Sequence, residues 1–263
     1  MMAGDIMPLN KTISRITQIL LILSIFPFQR YLKLSWAELG FAPKTVFAKQ
    51  MGLGFCFGFL TLLPIFALLY LLEVHVWDHT KIWTLAVFLK KTGIALLLAL
   101  LISYVEEPIF RGVVLTGLQK KMAVWAAILV SSFYYGSLHF LETSTVVPYQ
   151  DLKLSSGFVL FGEAIVNWLN PSVLSAFSGL FMVGVFLAVI RSQMPQSLGL
   201  CAGLHASWVW QIKISKMFLN TDFASPYAFL VSNYDGLVGP LIAGWMLLAV
   251  LVYLGYQRYF CSS

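Results

Sequence analysis

Residues 93–104 of this chain are almost purely apolar, and they run straight into Val105-Glu106-Glu107-Pro108-Ile109-Phe110-Arg111-Gly112. The apolar run reads as half of a membrane-crossing helix, so three charges at its end constrain everything folded around it. Near mid-bilayer each charge costs ~2.5–3.5 kcal/mol, whereas each Leu, Ile, Phe or Val returns only ~0.3–0.6 kcal/mol. The cluster must be paired, neutralised or hydrated. Glu107 and Arg111 are four residues apart and can pair along one helix face. Glu106 sits about 100° round the cylinder and needs a partner from elsewhere. Pro108 removes a backbone donor and frees the carbonyl of Tyr104, which predicts a kink at the acidic pair. Ionisable groups placed together inside a membrane are a functional signal by default.

Composition generalises the reading. Hydrophobic residues make up 59% of the 263 and charged residues 11%, against roughly 25% charged in an average soluble domain. The class is therefore an all-α polytopic transmembrane helical bundle, with six to eight membrane helices and a kink in the helix that carries the acidic pair. The net charge of +6 does not point to nucleic acid, because Lys and Arg lie in short loops between apolar runs, as the positive-inside rule expects. The partners expected are the lipid bilayer and a membrane-associated peptide or protein. Cys56, Cys201 and Cys261 show no CxxC spacing and no pairing framework.

Taken in order, Met1 to Asn10 is polar. Ile13 to Phe28 is an apolar stretch behind Lys11 and Arg15 with no small-x-small cleavage site after it, hence an uncleaved first span or anchor. Residues 30–49 read as a basic amphipathic connector suited to the headgroup region. Residues 1–50 thus form an anchor and connector, and 51–263 a membrane-embedded domain with its motif core at 90–212. Spans are expected at 51–72, 123–141, 171–190 and 237–256, with the organising helix at 92–118. A further helix is expected over 197–212, followed by a polar-aromatic connector to Asn233. The 73–81 loop holds His75 and His79 at i, i+4, a metal pair without a clear third ligand, whose plain reading is a solvated interfacial loop. Loop charges alternate in sign, with Lys213 and Lys216 as exceptions. They predict a multi-pass integral membrane protein with a cytosolic C-terminus, in the inner membrane if the source is bacterial.

Two histidines lie inside the expected spans, His139 and His205. Counting ~1.5 Å per helical residue from the cytosolic ends, Glu106, His139 and His205 lie roughly 18, 24 and 14 Å deep. Three helices thereby deliver ionisable groups to similar levels of a ~30 Å core. A desolvated glutamate can act as base towards water, and an imidazole can orient that water or stabilise an oxyanion. The same three side chains could ligate zinc, although the HExxH spacing on one helix is absent. A proton relay in a transporter is the rival reading, but no internal repeat supports it.

Glu106-Glu107 with Arg111, then Tyr135 ahead of His139, then His205, occur in the order of a known family. The chain resembles the CAAX-protease and bacteriocin-processing family, also called the Abi family of intramembrane proteases, which includes type II CAAX-prenyl endopeptidases. The resemblance covers roughly residues 90–212. It implies a multi-span helical endopeptidase in which Glu106 activates water and His139 helps hold it. It implies an oxyanion-site or water-positioning role for His205, and a supporting ion pair for Glu107 and Arg111. Tyr135 stands where the family usually has Phe. The family commonly has Asn four residues after the last His, and this chain has Val209. Neither Ser207 nor Gln211 shares the helix face of 209. That departure motivates the alternative of a catalytically silent member that binds or chaperones a membrane partner.

Overall fold

Thr84 starts the helix that carries the acidic pair: its hydroxyl accepts the backbone N–H of Val87 at 3.3 Å, a side-chain N-cap. The helix, α3 (Leu85–Glu107), therefore begins seven residues before the expected position, and Lys90 and Lys91 lie within it rather than at its edge. The computed structural model describes residues 9–141, 143 and 145–260; residues 1–8 of the expected polar N-terminal stretch, and Cys261, lie outside the described residues.

The interruption at Pro108 takes the form of a π-helix, Pro108–Val114, which continues into α4 (Leu115–Gln119). Pro108 has no N–H to return to Tyr104, and the ladder resumes with i→i+5 bonds, as from the N–H of Leu115 to the carbonyl of Phe110. The wider turn keeps Pro108 through Val113 buried.

The other helices are α1 (Leu9–Tyr31), α2 (Lys44–Leu71), α5 (Val124–Leu138), α6 (Ser156–Trp168), α7 (Pro171–Gln193), α8 (Leu198–Phe218) and α9 (Pro240–Phe260). Among the described residues five helices are long and apolar enough to cross a bilayer: α1, α2, the continuous helix Leu85–Gln119, α7, and α9 over Pro240–Tyr259. The apolar α5 has only 15 residues and stops before His139, which caps its C-terminus instead of lying inside a span. Helix α7 is the hub: its residues from Val183 to Arg191 are all buried, and it packs against α5 and α9.

Small residues set how α8 is held. Gly54 and Gly58 of α2 face Leu200, Leu204 and Ser207 of α8. Gly199 and Gly203 of α8 face Phe47 and Met51 of α2. Two interlocking small-xxx-small patterns let the parallel backbones touch, the usual device where lipid offers no hydrophobic drive. Gln211 fastens the same seam, donating Nε2–H to the carbonyl of Gly58 at 3.1 Å.

Two loop expectations need correction. The 30–49 connector is tied to the bundle as well as exposed on its basic side: Leu34 and Leu39 are buried against Val113, Arg191 donates to the carbonyl of Glu38 at 2.5 Å, and from Lys44 the segment is already α2. The 73–81 segment is not a solvated loop. It contains β1 (His75–Trp77), antiparallel to β2 (Leu219–Thr221), with His75 opposite Thr221. A strand does not project i and i+4 from one helical face, so His75 is buried against the carbonyl of Gly236 at 2.9 Å while His79 is exposed. Helix α8 runs six residues past Ile212, and Lys216 is paired with Asp235 at 3.3 Å.

Candidate active site

Six residues singled out in the sequence meet at one place. Glu107 is fully buried; its Oε2 lies 3.3 Å from Nε of Arg111, and its Oε1 lies 2.8 Å from Nδ1 of His205. Arg111 contributes charge rather than geometry, since none of its three side-chain nitrogens has a hydrogen-bond partner among the described residues. Its guanidinium lies over the Tyr135 ring at 4.2 Å, a cation–π contact that helps to hold a desolvated cation. The Tyr135 ring also meets Phe110 edge-on at 5.1 Å and His139 at 4.7 Å.

Glu106 points the other way. A quarter of its side chain remains accessible, and its Oε2 lies 3.6 Å from Nε2 of His139 and 3.9 Å from Nε2 of His205. That oxygen is itself buried without a hydrogen-bond partner. Both imidazoles are fixed through their other nitrogen: Nδ1 of His139 lies 2.7 Å from the carbonyl of Tyr135, and Nδ1 of His205 is on Glu107. A carbonyl oxygen and a carboxylate can only accept, so each Nδ1 carries hydrogen. Each ring then turns its Nε2 towards Glu106. The i, i+4 step from Tyr135 to His139 supplies the first of these anchors because α5 ends there, and a helix end leaves carbonyls free.

Glu106 and His139 line a cavity of about 430 Å³, and the buried His205 stands behind them. Its walls are mostly apolar, including Leu101, Val105, Ile109 and Phe110 from the acidic helix and Leu138 from α5. Helix α1 closes another side with Ser14, Gln18, Leu21 and Ile22. Sequence reading took α1 for an anchor and missed this; the signal was the i, i+4, i+7, i+8 spacing of those four residues, one stripe of a helix. Val209 does not appear among the cavity-lining residues.

One carboxylate and two imidazoles are donor types that zinc accepts. Ligands at ~2.0–2.2 Å in a tetrahedron stand roughly 3.3 Å from one another, closer than the 3.6 and 3.9 Å found here. Among the described residues no three His, Cys, Asp or Glu side chains converge closely enough to hold a metal ion.

The arrangement defines a class: a helical membrane protein with a glutamate–histidine site beside an apolar cavity. Residues 88–211 match the family described as Type II CAAX prenyl endopeptidase Rce1-like. Nearly half of the chain is thus similar to that family, and with five apolar helices among its described residues it is an integral membrane protein. All six site residues fall inside the matched segment, whereas α1 and α2 lie outside it. No curated protein and no solved structure matches the chain.

Proposed function

We propose that this multi-pass protein is an endopeptidase that hydrolyses a peptide bond of a membrane-associated or lipidated protein, using water activated by Glu106. One observation carries the reading: a buried, unpartnered carboxylate oxygen faced by two imidazole nitrogens whose orientations are fixed from behind. In the proposed sequence a water sits against Glu106 Oε2 and gives one hydrogen bond to Nε2 of His139. Glu106 takes a proton from this water as its oxygen adds to the substrate carbonyl carbon. The oxygen of that carbonyl becomes an oxyanion, which His205 can meet from Nε2 in its imidazolium form, with Glu107 balancing the charge. Glu106 then returns its proton to the amide nitrogen as the C–N bond breaks, releasing an amine and a carboxylic acid, which loses its remaining proton to water or to the amine. The apolar walls of the cavity suit a lipid-bearing segment, and the same walls limit access of bulk water.

The family match supports an endopeptidase; the water-activating role of Glu106 and the choice of substrate are our reading. The test is comparative membrane proteomics of cells carrying wild type or Glu106→Ala. New protein termini that depend on Glu106 support hydrolysis. An unchanged set of termini, with a membrane partner still captured by both forms, would favour a silent binding protein, the alternative that Val209 motivates.

A further inference from the structure

Four polar side chains line the cavity, and two of them, Glu106 and His139, are already assigned. The other two, Ser14 and Gln18, come from α1, one helical turn apart. Around them α1 presents Ile13, Ile16, Ile19 and Leu20 outwards, all exposed, as a helix in lipid does. Ser14 and Gln18 are exposed as well, but the space they open onto is the cavity that Glu106 and His139 line, so the amide of Gln18 is placed to meet a ligand there. The Gln18 carboxamide makes no hydrogen bond to the described residues.

The level of Gln18 can be read from the other end of the helix. Lys120 donates to the carbonyl of Leu32 at 3.4 Å. Glu106 lies 14 residues before Lys120, and Gln18 lies 14 residues before Leu32. At ~1.5 Å per residue on both chains, Gln18 stands within about one turn of Glu106. At the opposite end Asn10 donates to the carbonyl of Thr143, four residues past His139, so α1 spans the cavity from the His139 side. Leu21 and Ile25 continue the inward stripe and pack on the buried core, which holds that face towards the site.

We infer that Gln18 is a substrate-binding residue whose carboxamide N–H donates to the carbonyl oxygen under attack and holds the oxyanion, supplying the donor that Val209 cannot. The inference rests on the hydrolytic reading above. It gives α1 a part in the chemistry, although this helix lies outside the segment that matches the family.

The test uses full-length protein in liposomes and a quenched fluorescent peptide ending in a prenylated Cys-aliphatic-aliphatic-Xaa tail. An aldehyde of the same peptide serves as a tetrahedral mimic, its binding followed directly. Gln18→Met keeps length and removes the donor. We expect kcat to fall ~10²–10³-fold, the usual effect of losing an oxyanion donor, with KM within threefold and aldehyde binding weakened by a similar factor. Gln18→Asn, which keeps the amide donor on a shorter stem, should turn over at least tenfold faster than Gln18→Met, a rescue that a merely structural defect would not show. Turnover and aldehyde binding within threefold of wild type in Gln18→Met would overturn the inference. So would a Gln18→Asn form no faster than Gln18→Met. If Glu106→Gln still cleaves, the hydrolytic reading itself is wrong. If Glu106→Gln is dead and Gln18→Met is fully active, the role of Gln18 alone is wrong.

Discussion

Glu107 Oε1 accepts a hydrogen bond from Nδ1 of His205 at 2.8 Å, joining the acidic helix to α8 across 98 positions of sequence. Its other oxygen faces Arg111. One buried carboxylate therefore balances a cation and sets the ring of a second helix, while its neighbour Glu106 is left to face the cavity. Adjacent positions on a helix point about 100° apart, and that angle alone separates the two tasks.

The two glutamates should fail differently. Glu107→Gln leaves Arg111 buried without a counter-charge, and breaking a buried pair in this way costs ~3–5 kcal/mol. It also replaces the acceptor for His205, so both thermal stability and cleavage should fall. Glu106→Gln removes only the base: its melting temperature should stay within a few degrees of wild type, with cleavage abolished. Tryptophan-monitored unfolding in detergent, beside a cleavage assay, compares them. Equal destabilisation by both substitutions would remove the division of labour.

What the sequence revealed of this site was whatever helical phase determines. The four-residue step from Glu107 to Arg111 and the stranded position of Glu106 follow from 3.6 residues per turn, and depth alone brings His139 and His205 to a common level. The pairing of Glu107 with His205 does not follow, because it depends on how α3 and α8 rotate against each other. The π-helix was half visible: Pro108 announces a broken ladder, but the form of the break is set by the buried packing of Phe110 and Arg111. The sheet escaped because β1 and β2 have three residues each, too short for alternation to be seen. The 30–49 connector reads as interfacial because nothing local reveals that Arg191 donates to the carbonyl of Glu38.

Tyr135 touches Arg111, Phe110 and His139 through its ring. Tyr135→Phe keeps those contacts and should keep cleavage within about threefold, a change of ~0.6 kcal/mol at RT ≈ 0.59. Tyr135→Leu loses the ring face over Arg111, worth ~0.5–2 kcal/mol depending on desolvation, and removes the ring that packs on His139. Its stability and turnover should both drop. A Phe variant as damaged as the Leu variant would show that the hydroxyl, not the ring, is what matters.

The seam between α2 and α8 offers an internal control. A Cβ added at Gly203 would run into the backbone carbonyl of Met51, whereas one added at Gly52, on the same α2, meets nothing within 4 Å. Gly203→Ala must push the helices apart, and His205 lies only two residues on. Overpacking of this kind costs ~1–3 kcal/mol, and turnover should fall with it. Gly52→Ala should be neutral or stabilising by up to ~0.5–1 kcal/mol through helix propensity. Unfolding midpoints of the two variants, measured in one detergent, check the contrast. Matching shifts would mean that close backbone approach does not hold α8 in place.

Acidification should weaken the β1–β2 end in two separate windows. Burial holds the His75 imidazole below its ordinary value of 6.5, against the opposing pull of the Gly236 carbonyl and Asp235, with Lys216 adding to the depression. The unfolded chain therefore takes up this proton first, and stability is lost as pH falls below about 6.5 towards the folded value. Asp78 behaves differently. Its carboxylate is held far below the usual range by hydrogen bonds from the Lys81 ammonium and from the hydroxyl and N–H of Thr80. Its contribution is complete above the ordinary value of 3.8 and disappears only as pH falls through the much lower folded value. His75→Gln should flatten the upper window and leave the lower one, and Asp78→Asn should do the reverse. Denaturation midpoints in wild type and both variants, taken from pH 8 down to well below the ordinary aspartate value of 3.8, test the assignment. If His75→Gln leaves the slope between pH 7 and pH 5 unchanged, the burial of His75 is not what makes the fold sensitive there.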